Sequence, residues 1–388
     1  MNSENSVSNW KLPLYKIYTD EEDVDLITKV IKRGTNWAIG PEIEEFEKSI
    51  REYVGTDYCV ALNSGTSALH ATFLAYGFDK SSEIIVPSFS FISTANSVLF
   101  VGSKPVFSDI EETNFGLDPE LITEKITSNS RAIVPMDYGG LSCKIFDIKK
   151  ISKEKNLILI EDAAEALGAK VKGKKVGSIA DASIFSFCGN KVLTTGEGGA
   201  VVTNSKKIFE QLKLIRSHGR SNGKNYFNDP SGSQYIELGY NWRMSSITAS
   251  LGISQMKKLD KIIKMRQENA AYISSRISKH KEIKILNPQD DYEHIYQMYT
   301  IQLANKNLRD RLHQHLINKK IFSKVYFEPI HLTNYYRKKF DTKPGLLPIT
   351  EKISNEVLTL PIYPNMTTDE KNYLIESIAE FFENNKNS

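Results

Sequence analysis

Ser183-Ile184-Phe185-Ser186-Phe187-Cys188-Gly189-Asn190-Lys191, continuing as Val192-Leu193-Thr194-Thr195-Gly196-Glu197-Gly198-Gly199, organises the chain around one lysine. Ile184, Phe185 and Phe187 give the run the bulk of a short buried strand. Lys191 follows just past the strand end. A Gly-rich turn leads into a second strand, Ala200-Val201-Val202-Thr203. Crowding by buried neighbours would disfavour the ammonium and free the amine to attack a carbonyl, as a Schiff-base lysine requires. Taken alone, the run is better read as a strand followed by an ordinary solvated lysine; the partners elsewhere in the chain reverse that.

Working outward, the preceding chain alternates strands and helices. Cys59-Val60-Ala61-Leu62 reads as a strand. Asn63-Ser64-Gly65-Thr66-Ser67 follows, then a helix from Ala68 to Tyr76 closed by Gly77. A Gly turn with hydroxyls at a helix N-terminus suits an anion, and a plain helix cap fits it equally well. It is not a Walker loop, because the GxxxxGK[ST] spacing is absent. Further strands are expected at Ile84–Val86, Val106–Asp109, Ala132–Val134 and Leu157–Ile160. Helices are expected from Asp118 and up to about Lys155. This is the rhythm of an α/β domain with a mostly parallel sheet, whose ligands bind beyond the carboxyl ends of the strands. Asp162 falls at one such end. It could sit beneath a ligand ring, or simply cap the next helix.

From about Ser245 the pattern changes to a long amphipathic stretch through Ile247, Leu251, Met256, Leu259, Ile262 and Ile263. Strand-like runs at 295–303 and 322–327 follow. A last helix over 369–382 has Thr367 and Glu370 as its capping box. The expected organisation is a flexible tail at 1–11, a large α/β domain at 12–250 and a smaller α+β domain at 251–388.

The 388 residues carry a net charge of +3, with 40% hydrophobic and 25% charged residues. The basic residues are scattered, which argues against nucleic acid. Cys59, Cys143 and Cys188 lie too far apart for a disulfide framework or zinc site, and Cys188 reads as a core filler. The polar start lacks an apolar signal core, so a cytoplasmic location and no membrane partner are expected. The uncharged run 84–103 is broken by Pro87 and several hydroxyl residues, and reads as strand, turn and helix rather than a membrane span.

Four features call for one explanation: the turn at Gly65-Thr66-Ser67, the aromatics Phe89 and Phe91, the carboxylate of Asp162, and Lys191. A flat, phosphorylated aldehyde cofactor, pyridoxal 5′-phosphate, suits all four. The segments Asn63-Ser64-Gly65-Thr66-Ser67-Ala68-Leu69, Pro87-Ser88-Phe89-Ser90-Phe91, Glu161-Asp162-Ala163-Ala164-Glu165-Ala166, Phe185 to Lys191, Gly196-Glu197-Gly198-Gly199 and Gly239-Tyr240-Asn241-Trp242-Arg243-Met244 occur in that order. Together they resemble the DegT–StrS family of sugar-nucleotide aminotransferases, over roughly residues 12 to 384. The Glu161 to Ala166 form and Gly173-Lys174-Lys175-Val176-Gly177 look most like the GDP-perosamine synthase type of 4-aminotransferase.

The resemblance implies a fold-type-I, aspartate aminotransferase-like architecture. Lys191 is then the Schiff-base lysine and proton shuttle. Gly65, Thr66, Ser67 and Ser186 cradle the phosphate, Phe91 stacks on the ring, and Asp162 meets the ring nitrogen. Glu165 lies near the ring hydroxyl, where relatives often carry Gln or His. Asn241 is implied to reach the neighbouring subunit's cofactor, making the working unit a homodimer. Arg243, Tyr326 and His331 are candidate substrate residues. The implied substrates are a nucleotide-linked keto sugar and L-glutamate; no metal is implied. Two departures bear on substrate identity: Tyr138-Gly139-Gly140-Leu141-Ser142-Cys143-Lys144 lacks the family's usual acidic residue, and Asp137 stands where His is usual. A lyase or dehydratase of the same fold and a non-enzymatic regulator are the competing readings. Lys191 argues against relatives that carry His there. No GxGxxG follows a strand, which disfavours a nicotinamide enzyme.

Overall fold

A seven-stranded sheet carries the site, in a computed structural model that describes residues 10–221, 234–286 and 288–386. Its strands are β1 (Tyr58–Leu62), β2 (Glu83–Pro87), β3 (Lys104–Ser108), β4 (Ser130–Ile133), β5 (Ile158–Asp162), β6 (Ala182–Ser186) and β7 (Gly199–Thr203). The spatial order is β1-β7-β6-β5-β4-β2-β3. Within it, β6, β5, β4, β2 and β3 run parallel, while β7 is antiparallel to both neighbours. Strands covered on both faces read as continuous apolar runs, which is why Ile84-Ile85-Val86 and Leu159-Ile160 are buried throughout. Because β7 runs backward, Gly199 opens it at the same edge where β1 and β6 end: Leu62 pairs with Gly199, and Ser186 pairs with Gly199.

Helices Gly65–Ala75, Ser93–Phe100 and Ile145–Glu154 connect the strands, and two hydrophobic clusters lie on opposite sides of the sheet's centre. Phe46, Phe185 and Phe187 anchor one; Phe73, Val86 and Ile184 anchor the other. The run 84–103 is a strand and an eight-residue helix, as expected, and no helix among the described residues is long and apolar enough to cross a membrane.

The amphipathic stretch after Ser245 is a single helix of 32 residues, Ser246–Ile277, capped by the Ser245 hydroxyl accepting from Thr248 N. Its partner changes along its length. Ala249 to Ile263 pack with the large sheet, and Ala270, Ile273 and Ile277 with a second, three-stranded sheet built from Ile283–Ile285, Tyr299–Leu303 and Val357–Leu360. Residue 250 lies inside this continuous helix, before the change of partner. Of the tail expected at 1–11, residues 1–9 lie outside the described residues. Trp10 packs edge-on against Phe322, and Leu12 is buried beside Ile321.

The run 295–303 is a strand only from Tyr299, and 322–327 forms none. There Phe322 N donates to Leu12 O, and Lys324 exchanges one pair of bonds with Thr359, so the segment's backbone is divided between two partners. The final helix covers Thr368–Lys386, and its capping box is present: Glu370 N donates to Thr367 Oγ1 at 3.2 Å and Thr367 N to Glu370 Oε2 at 2.9 Å.

Candidate active site

Strand periodicity puts Asp162 at the end of β5 with its side chain opposite to that of Glu161. Asp162 is buried. Its Oδ2 accepts from the Thr94 hydroxyl at 2.6 Å, and its Oδ1 takes only a long bond, 3.3 Å, from Ala164 N. Thr94 in turn meets the Ser90 hydroxyl at 2.7 Å. Burial pushes the Asp162 carboxyl above its ordinary range, while the Thr94 bond and the charge of Lys191 pull the other way. A buried acid with one weakly used oxygen suits a cationic N–H partner.

Lys191 lies beyond the end of β6, in a turn closed by its own N–H to Cys188 O at 2.9 Å. Its Nζ donates to Glu165 Oε1 at 3.1 Å, and the other Glu165 oxygen accepts from Gly139 N at 3.0 Å. Both side chains are largely buried. Lys191 is therefore held as one half of an ion pair, a partner that the sequence argument from crowding did not include. The backbone on either side of it is clamped by Gln297, whose Oε1 accepts from Val192 N at 2.7 Å and whose Nε2 donates to Asn190 O at 2.8 Å.

The turn before helix Gly65–Ala75 is built as both sequence readings required. Ser64 caps the helix, its Oγ accepting from Ser67 N at 3.0 Å. Thr66 Oγ1 meets Ser93 Oγ at 2.8 Å, which joins the starts of two helices. A Cβ on Gly199 would lie 2.4 Å from the Ser64 carbonyl, and one on Gly65 would lie 3.0 Å from Ser186 Cβ. Only glycines let the strand ends and the helix start converge this closely. The result is a cradle of backbone N–H groups and the hydroxyls of Thr66, Ser67 and Ser186, suited to a phosphate. The cradle, the buried acid and the amine together fit pyridoxal phosphate.

Other expected residues fall as follows. Phe91 is 59% exposed, its ring centroid 6.5 Å from that of Phe327, while Phe89 is buried and stacked on Tyr138. Tyr326 is half-buried; its carbonyl accepts from Tyr138 Oη at 2.6 Å, and Glu165 is close enough to help burial push its phenol upward. His331 is not placed for ligand contact. It is wholly buried, with Nδ1 on Ser88 Oγ at 2.7 Å and Nε2 on Glu351 Oε1 at 3.1 Å, so both ring nitrogens are engaged. Asn241 is exposed, next to Trp242, whose carbonyl accepts from Asn63 N at 3.0 Å. Arg243 lines a separate surface hollow with His218, Arg220 and Tyr235, which contains neither Lys191 nor Asp162. Cys188 is half-buried rather than a core filler, its thiol 3.7 Å from Glu197 Oε1. Thr94, Gly139 and Gln297 were not anticipated. The density of hydroxyl residues from Ser88 to Thr94 was a usable sign for the first; Gln297 lies 107 positions from Asn190 and had none.

Residues 18–379 match the model of the DegT/DnrJ/EryC1/StrS aminotransferase family. GDP-perosamine synthase of Escherichia coli O157:H7 is 32% identical over 96% of this chain and 98% of its own length. A UDP-4-amino-4,6-dideoxy-N-acetyl-beta-L-altrosamine transaminase of Campylobacter jejuni is 36% identical over 82% of this chain and 84% of its own. Among solved structures, Helicobacter pylori PseC, an aminotransferase involved in the biosynthesis of pseudoaminic acid, superposes with a TM-score of 0.90 at 29% identity, covering 96% of this chain and 99% of that one. With the Lys191–Glu165–Asp162 group at the strand ends, these matches make the chain a member of the DegT/DnrJ/EryC1/StrS family, a pyridoxal-phosphate-dependent sugar aminotransferase.

Proposed function

We propose that the enzyme moves an amino group from L-glutamate to C4 of a nucleotide-linked 4-keto-6-deoxysugar, giving a perosamine-like 4-amino sugar nucleotide and 2-oxoglutarate. The observation that carries the reading is the buried group at the sheet edge: an amine (Lys191) and an acid (Asp162) beside a phosphate cradle. The names of the relatives, a GDP-perosamine synthase and a UDP-4-amino-sugar transaminase, support the 4-position and leave the nucleotide to experiment.

When bound, pyridoxal phosphate supplies an electron sink for proton removal beside nitrogen. Lys191 would hold it, and as a free amine would carry the proton from the donor's α-carbon. Asp162 would keep the ring nitrogen protonated, and Thr94 fixes the orientation of that carboxylate. Glu165, held by Gly139 N, orients the Lys191 amine. Gly65, Thr66, Ser67 and Ser186 hold the phosphate, and Phe91 covers the ring. Asn241 serves the site of a second copy, so the functional unit is a homodimer in the cytoplasm. Tyr326 borders the sugar side, and Arg243 faces an anionic part of the substrate.

GDP-, UDP- and dTDP-linked 4-keto and 3-keto sugars assayed with glutamate test the proposal. Amination of a 4-keto sugar nucleotide is the expected result. Turnover of 3-keto sugars alone, or water loss without glutamate consumption, would replace it.

A further inference from the structure

Directly beside Asp162 lies a pair of acids that the reaction does not use. Asp137, in the turn after β4, and Glu161, in β5, are both wholly buried. Each has one satisfied oxygen. Asp137 Oδ1 accepts from Cys143 N at 2.8 Å; Glu161 Oε2 accepts from Gly177 N and the Ser183 hydroxyl, both at 2.8 Å. Each also has one buried oxygen, Asp137 Oδ2 and Glu161 Oε1, with no donor. An unpaired buried acceptor is costly, and more so when it is charged. The parallel bridge between Met136 and Asp162 sets Asp137 on the same face of the sheet as Glu161, where their carboxyls interact, and no ion pair involves either among the described residues. Two carboxylates in contact in an apolar interior cannot both ionise.

We propose that Asp137 and Glu161 share one proton across their two otherwise unpaired oxygens, and that this hydrogen-bonded acid pair positions the cofactor end of the site. The pair completes a chain from Cys143 N through Asp137 and Glu161 to Ser183 and Gly177, tying the turn after β4 to β5 and β6. Its backbone is the backbone of the site. Asp137 N donates to Asp162 O at 3.1 Å, and two residues on from Asp137, Gly139 N holds Glu165. The structural part rests on the two unpaired buried oxygens and the register of the strands, and the consequence for the cofactor rests on the proposed roles of Asp162 and Glu165.

The groups facing Asp137 are Glu161 and Asp162 from β5 and the Cys143 thiol from the following turn. Burial, then Glu161, pushes the Asp137 carboxyl well above its ordinary range; burial and the same acids also raise the Cys143 thiol, keeping it neutral. A raised acid binds its proton more tightly when folded. Its contribution to stability is therefore complete below the ordinary carboxylate range and is lost as pH rises through the elevated value.

The test is a thermal cycle on holoenzyme from pH 6 to pH 9.5, with D137N, E161Q, the double variant and D137A. Either single amide replaces the shared proton by a permanent N–H donor, so D137N and E161Q should melt close to wild type. The double amide sets donor against donor and should lose roughly 5 °C or more beyond the sum of the singles. D137N should also lose the wild type's decline toward alkaline pH. Release of pyridoxal phosphate on dialysis, followed by absorbance, should be several-fold faster in D137A than in wild type and restored in D137N. Additive melting shifts, or an unchanged pH slope in D137N, would overturn the pair. Retention of cofactor in D137A equal to wild type would overturn its positioning role. A wild type that binds no pyridoxal phosphate would overturn the reading of the site, while the melting cycle would still decide the pair.

Discussion

Two regions meet at the same edge of the large sheet and are finished to different degrees. Around Asp162 and Lys191 nearly every polar atom has a partner inside the chain: Thr94 on Asp162, Gly139 N on Glu165, Gln297 on the backbone beside Lys191. The described residues between Ser217 and Arg243 are fastened to that edge by backbone bonds, Trp242 N to Arg216 O and Asn63 N to Trp242 O, both at 3.0 Å, and by the Tyr240 and Trp242 rings beside His70. Tyr235, Ile236 and Leu238 are between 60% and 75% exposed, and Asn241 is exposed beside them. Apolar residues so exposed next to a polar one at a site edge are what a second subunit would cover. On the proposed roles, the first region supplies the groups that one chain brings to its own site, and the second would supply Asn241 to a neighbour's.

The strongest way to break this comparison is subunit mixing. K191A and N241A homodimers should be inactive and reduced roughly thirtyfold, respectively. Co-assembled in equal amounts, they should recover about a quarter of wild-type activity, because half of random dimers contain one site with both wild-type groups. Recovery no greater than that of N241A alone would place Asn241 in its own chain's site. A smaller effect sharpens the description of the first region. T94V removes the donor on Asp162 Oδ2 and should lower kcat/KM roughly tenfold, about 1.4 kcal/mol, without lowering expression or melting temperature substantially. Unchanged kcat/KM would mean that Asp162 needs no orienting partner.

The parallel sheet and the site's main residues were legible because the signals are local. Strand runs such as Ile84-Ile85-Val86 are continuously apolar, the glycines at 65 and 199 mark close approaches, and Asp162 and Lys191 each follow a strand end. What was not legible depends on distant partners. Gln297 reaches Asn190 from the second half of the chain, and the expected strand at 322–327 is divided between Leu12 and Thr359. His331 was a candidate substrate residue because the resemblance implies that substrates lie near the segment carrying Tyr326 and His331. Its two ring bonds to Ser88 and Glu351, formed across 243 and 20 positions, make it a fastening between the two sheets' surroundings. Asp137 and Glu161 carry no sequence sign of being neighbours, since only the parallel register of β4 and β5 brings them together.

The most direct test of the account is to reduce the purified protein with borohydride in the presence of pyridoxal phosphate, digest it, and locate the pyridoxyl group by mass spectrometry. The group should be found on Lys191 alone, and the absorbance of the bound cofactor should be missing from K191A. A pyridoxyl group on another lysine, or on none, would contradict it.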